Sequence, residues 1–144
     1  MSNDDGNVPS DNEPHYMSVT REISVSVLPN YLPEHSEPDR NHFVWAYQVR
    51  IENTGQETVQ LINRHWQITD AAGRIQEVDG PGVVGEQPIL APGDSFVYSS
   101  GAPLSTPTGF MVGRYEMKTT EGASFSVDIP AFSLDSPFQQ GPLN

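Results

Sequence analysis

The residues best placed to do chemistry lie in "DGPGVVGEQP", residues 79–88, where Gly80, Gly82 and Gly85 form a GxGxxG run. That spacing cradles pyrophosphate in dinucleotide-binding folds. It does so when an apolar strand precedes it and a helix follows whose N-terminal amides meet the phosphates. Here the preceding "RIQEV" is short and polar, and "EQPILAPGD" behind the loop holds Pro88, Pro92 and Gly93. No helix of useful length fits, so the dinucleotide reading fails. A weaker one survives, because a Gly-rich turn can gather backbone amides into an anion nest without a helix. Arg64 and Arg74 are its candidate anion partners, while Asp79 and Glu86 carry the wrong sign and Pro81 lacks an amide. The plainer reading is a crossover between sheets whose glycines supply positive φ or close packing.

Other chemistry has thinner support. His15, His35, His42 and His65 pair at neither HxH nor HxxxH spacing, so no zinc signature is present. "PEHSEPDRNH" gathers Glu34, His35, Glu37, Asp39 and His42, a loose set for a hard cation without the regular ligand spacing of a calcium loop. The chain has no cysteine and no GxSxG, so no thiolate and no serine elbow is available. Separated carboxylates such as Glu77 and Asp128 are what any acidic protein offers. These observations favour a binding module over an enzyme and call for no cofactor.

Composition narrows the partners. With 19 acidic and 7 basic residues the net charge is −12, which repels nucleic acid and an anionic membrane surface. No run of 18 apolar residues exists, and "MSNDDGNVPSDNEPHY" resembles no secretory signal. The absence of cysteine is compatible with the cytosol. The partners left are another protein, or a small anion such as a nucleotide or pyrophosphate held by a local group of arginines.

The elements that must position these residues are strands. Val19, Ile23, Val25 and Val27 alternate in "SVTREISVSV", and Phe43, Trp45, Tyr47, Val49 and Ile51 alternate in "HFVWAYQVRIE". In "TVQLINRHWQIT" Val59 and Leu61 share one parity and Ile62, Trp66 and Ile68 the other, which predicts a bulge near Leu61 and Ile62. "RIQEV", "SFVYSSG", "GFMVGRYEMKT" and "ASFSVDI" complete about seven strands, the last broken by Pro130. Turn signals between them predict an all-β, antiparallel sandwich. Residues 1–16 read as a disordered acidic extension, 17–134 as the domain and 135–144 as a flexible tail. Val83, Val84, Phe110, Val112, Phe132 and Leu134 are not claimed by the core pattern and are candidates for a partner surface, alongside an open sheet edge.

Trp66, "GPGVVGEQP", the Pro92–Gly93 turn, "YSSG" at residues 98–101, "YEM" at 115–117 and "IPAF" at 129–132 resemble the ApaG family over residues 17–134. That resemblance implies a fibronectin type III-like sandwich in a small cytoplasmic protein of unsettled role. It also implies a connection with cobalt resistance and magnesium efflux, and protein binding where similar domains sit inside larger eukaryotic proteins. It carries the suggestion of pyrophosphate binding onto Gly80, Gly82 and Gly85, and it supplies no catalytic residue.

Overall fold

Alternating apolar residues give each strand one face to bury, and the chain satisfies them by stacking two antiparallel sheets. A computed structural model describes residues 16–138. The strands are β1 Tyr16–Thr20, β2 Ile23–Tyr31, β3 Phe43–Asn53, β4 Val59–Asp70, β5 Ile75–Pro81, β6 Ile89–Leu90, β7 Ser95–Leu104, β8 Gly109–Thr119 and β9 Ser124–Leu134. One sheet has the order β1-β2-β3-β7; the other runs β5-β4-β8-β9, with β6 also paired to β4. Seven of these strands, β2, β3 and β7 against β5, β4, β8 and β9, make the expected fibronectin type III-like frame. The additions are β1 and the two-residue β6. No helix among the described residues is long and apolar enough to cross a membrane.

Trp45, Tyr47, Val49 and Ile51 meet Leu61, Trp66, Tyr115, Met117, Val127 and Ile129 in the core. Tyr47 packs against Trp66 and Phe132 with ring centroids 5.4 and 5.7 Å apart. Tilted aromatic contacts of this kind add about 0.5–1.5 kcal/mol each beyond their burial. Asn53, a buried polar residue, has full work: its Nδ2 donates to the carbonyls of Glu57 and Leu90, and its Oδ1 accepts from the Gly55 amide. It thereby ties the β3–β4 turn to β6.

The two flanks of the sandwich differ. On one, Ser18 Oγ donates to the Asp128 carbonyl and the Asp128 amide donates to Thr20 Oγ1, so β1 is stitched to β9. The other flank is bordered by β7 from one sheet and by β5 and β6 from the other.

Both irregular ladders sit where a strand changes the parity it buries. The β4–β8 register slips between Leu61 and Asn63, as the sequence predicts. Pro130 does not end its strand. β9 runs through it, with a register shift against β8 between Met111 and Gly113. The expectation of a disordered extension falls, except for Tyr16, outside the described residues. Tyr16 itself belongs to β1, and its hydroxyl hydrogen-bonds Ser133 Oγ at 3.0 Å. The tail expected to be flexible from residue 135 begins in contact with the domain: Trp45 Nε1 donates to the Asp135 carbonyl and buried Ser136 Oγ to the Pro107 carbonyl.

Candidate functional site

β5 and β6 pair in succession with the same edge of β4, β5 along residues 63–69 and β6 along Val59 and Gln60. The glycine loop is the crossing between them, opposite the β4 bulge. The Ile62 carbonyl at the bulge accepts from the Gly82 amide at 2.8 Å and from Gln87 Nε2 at 2.9 Å. Val83 and Glu86 then exchange backbone hydrogen bonds around Val84 and Gly85, whose φ values are +42° and +84°. Two positive φ values make a two-residue turn of the mirror-image type.

Each glycine has a local reason. A Cβ on Gly80 would come within 3.0 Å of the Arg64 guanidinium. Gly82, at φ +61°, lies where a Cβ would stand 2.2 Å from the Glu86 carbonyl oxygen. Gly85 supplies the second positive φ of the turn. Among the loop's amides, those of Gly82, Val83 and Glu86 donate within the protein and Pro81 has none. The amides of Val84 and Gly85, at the tip, have no partner among the described residues.

The two arginines expected to flank an anion are not together. Arg64 shares the inward parity of Trp66, and its Nη1 donates to the carbonyls of Pro81 at 3.1 Å and Gly82 at 2.9 Å. Its charge also bears on the phenols of Tyr47, Tyr98 and Tyr115, where burial, the larger effect, raises all three above the ordinary tyrosine value. The Tyr98 and Tyr115 hydroxyls bond each other at 2.5 Å. Arg74 sits at the far end of β5, roughly 20 Å of strand away. There it donates to Asp70 at 2.8 Å and to Ser105 Oγ at 3.0 Å, and it holds the Asp70 carboxyl below its ordinary value.

On the outer face of the β5-β4-β8-β9 sheet, Asp79, His65, Arg114 and Asp128 follow one another across the strands, alternating in sign once His65 is protonated. His65 Nδ1 meets Asp79 Oδ1. A hollow of about 360 Å³ opens there, lined by Arg64, His65, Asp79, Gly80, Arg114 and Glu116 among others. The acidic loop of Glu34, Glu37 and Asp39 forms two short 3-10 turns, Pro33–His35 and Pro38–Arg40. No group of three or more His, Asp or Glu side chains able to hold a metal ion occurs among the described residues.

The six apolar candidates divide. Phe110 and Val84 are exposed and Val112 is half-buried, but Val83, Phe132 and Leu134 are core residues. For Phe132 and Leu134 the reason is the β9 irregularity at Pro130, which exchanges the buried parity. Val83 is carried inward by the tight turn. Sequence reasoning missed Ile75, 59% exposed, which stands beside Phe110 with only Thr69 between them. Ile75 shares its strand face with Glu77 and Asp79, a parity that the short "RIQEV" strand already carries.

The profile of the ApaG domain matches residues 33–119, which include the whole glycine loop. The chain belongs to the ApaG family. Protein ApaG of Paramagnetospirillum magneticum is 61% identical over 129 residues, covering 90% of this chain and 99% of that protein. Protein ApaG of Rhodospirillum centenum is 66% identical over 122 residues, covering 85% and 94%. The crystal structure of the ApaA protein from Bordetella pertussis superposes with a TM-score of 0.79 at 48% identity, covering 88% of this chain and 98% of that one. The profile ends at Thr119, whereas the ApaG sandwich needs β9 as well, the strand that supplies Val127, Ile129, Phe132 and Leu134 to the core.

Proposed function

We propose that this ApaG domain is a cytoplasmic, non-enzymatic protein-interaction module whose partner docks on the outer face of β5, β4 and β8. The observation that carries the reading is the pairing of Ile75 and Phe110 on either side of Thr69, 59% and 47% exposed, with Val112 next along β8. An exposed aromatic beside aliphatic neighbours, rimmed by Glu77, Gln67 and Arg114, has the apolar centre and polar border of an interface anchor. A connection with cobalt or magnesium would run through such a partner. The test is affinity capture from cell extract with wild type and with Ile75→Asp/Phe110→Asp. A specific partner retained by wild type and lost by the folded double variant supports the module. Equal capture by both removes this face from consideration.

A second reading, a nucleotide or pyrophosphate sensor, is favoured by one observation. Arg64 stands against Gly80 on the inward side of the β4–β5 pair and makes no ion pair among the described residues. Its Nη1 is committed to loop carbonyls, which leaves Nε and Nη2 for an anion. Amide-resolved NMR titration with ATP, diadenosine tetraphosphate and pyrophosphate, each with and without Mg²⁺, decides it. Saturable shifts at Arg64 Nε–H and at residues 80–85 support the sensor, and silence at millimolar ligand removes it.

A further inference from the structure

We propose that β7 is a pairing edge for a second copy of this chain, joined antiparallel about a two-fold axis through Ser99. Among the described residues five strands border the sandwich, β6 being only two residues long, and every one except β7 is short, covered or charged, devices that keep edges from pairing. β1 is five residues long and is stitched to β9, which is thereby covered as well. β5 carries Glu77, Asp79 and Pro81. β7 is ten residues long, "SFVYSSGAPL", without a charged side chain, and its ladder with β3 runs from Ser95 to Leu104 without a register shift.

The open groups of that edge can be assigned. Val44, opposite Pro103, uses its carbonyl for the Leu32 amide and its own amide for Ser36 Oγ, both on the β2 side. The Val44–Pro103 pair therefore makes no ladder bonds, and Pro103, which has no N–H to give, turns its nitrogen away from β3. Residues of the same parity, Ser95, Val97, Ser99 and Gly101, likewise aim N–H and C=O outward. No backbone group of β7 bonds outside the β3 ladder among the described residues.

These outward groups fit a copy of themselves. With the axis at Ser99, Ser99 meets its counterpart, Val97 lies opposite Gly101, and Ser95 opposite Pro103. That last pair asks only for the Pro103 carbonyl. Small residues therefore face large ones, and the prolines fall at the ends, where a missing donor costs least.

Charge points to the same occupant. A chain of net charge −12 repels its copy everywhere except where its surface is neutral. Beside β7 the only charges on the outer face of β3 are Arg50 and Glu52, paired at 3.5 Å. Exposed Val84 and Ile89 lie on the same flank, and Val84 is held at a positive φ that β-branched residues avoid. Both exposed side chains are placed where a neighbour would cover them.

Sedimentation and light scattering of the full chain test this, read beside the oxidation of single-cysteine variants. No native thiol interferes, since the chain has no cysteine. Expected are a mass twice the 15.8 kDa monomer, loss of the dimer in Ser99→Lys with an unchanged circular dichroism spectrum, and rapid disulfide cross-linking of Ser99→Cys but not of Ser26→Cys, which lies on the sheet face away from the edge. A wild type that stays monomeric at millimolar concentration overturns the proposal. So does a dimer indifferent to Ser99→Lys, or equal cross-linking at Ser26. Protection of the Val97 and Ser99 amides by a partner's peptide, with no dimer, gives the edge to another protein and overturns it equally.

Discussion

The guanidinium of Arg64 lies against the Cα of Gly80, so close that a methyl group there would stand 3.0 Å from Nη1 and 3.2 Å from Nη2. The two residues are also register partners on β4 and β5. Gly80 thus makes the space in which Arg64 reaches the carbonyls of Pro81 and Gly82. The first glycine of the motif has a purpose inside the protein, whatever the loop binds.

A coupling experiment follows from that contact. Gly80→Val pushes the guanidinium off its carbonyls and destabilises by about 1–3 kcal/mol, the cost of two charge-assisted hydrogen bonds, one exposed and one half-buried. In an Arg64→Ala background the same change has open space and costs less. Urea denaturation of the four proteins should give a coupling of at least about 0.5 kcal/mol. Strict additivity would mean that the two residues do not share the space.

The other two glycines should separate by substitution to alanine. At Gly82 the obstacle is the Glu86 backbone at 2.2 Å, which cannot rotate away, and the positive φ adds to it. At Gly85 nothing lies within 4 Å, so only the backbone preference of about 1–2 kcal/mol remains. Gly82→Ala should lower the melting temperature well beyond Gly85→Ala. Val84→Asn, which suits a left-handed position, should raise it. A ligand test resting on a Gly82 variant would confuse a lost fold with a lost site; Gly85→Ala is the cleaner probe.

The strands, the β4 bulge and the sandwich were legible because alternation over five or more residues survives any surroundings, and because Val59 and Leu61 against Trp66 and Ile68 display a parity change openly. The same event at Pro130 was hidden. "SFSVDIPAFSL" continues with apolar residues on both parities, and proline suggests an end as readily as a bulge. Reading on without the bulge leaves Phe132 and Leu134 outside, where the structure buries them. The loop was legible as a turn. Its division of labour was not, because the pairing of Arg64 with Gly80 depends on the register of β5 on β4, which no local pattern fixes.

The buried hydroxyls of Tyr98 and Tyr115 predict an alkaline limit. Burial raises both phenols above their ordinary value of 10.0, so the unfolded chain loses those protons first as pH rises. Their contribution is complete below pH 10.0 and is lost above it, by up to about 1.4 kcal/mol per pH unit for each tyrosine. Tyr98→Phe alone strands the Tyr115 hydroxyl and costs about 1–3 kcal/mol, while the double change to Phe costs less than the single changes summed. The double variant should also lose stability more gently between pH 10 and 11 in urea titrations. An unchanged alkaline limb would assign it to other groups.

Phe110 and Phe132 are both phenylalanines on the β8–β9 ladder, and their substitution should sort core from surface. Phe132 is 2% exposed and touches Tyr47 and Trp66. Phe132→Ala removes rings' worth of contact from both sheets and should cost about 3–5 kcal/mol, lowering the urea midpoint with little change in slope. Phe110 stands on the outer face, so Phe110→Ala should stay within about 1 kcal/mol of wild type, near the range of surface changes. If Phe110 is the centre of a partner's footprint, its loss shows in captured partner and not in the urea midpoint. A Phe110→Ala protein as destabilised as Phe132→Ala would instead make that ring part of the fold, and would take the interaction module's anchor away with it.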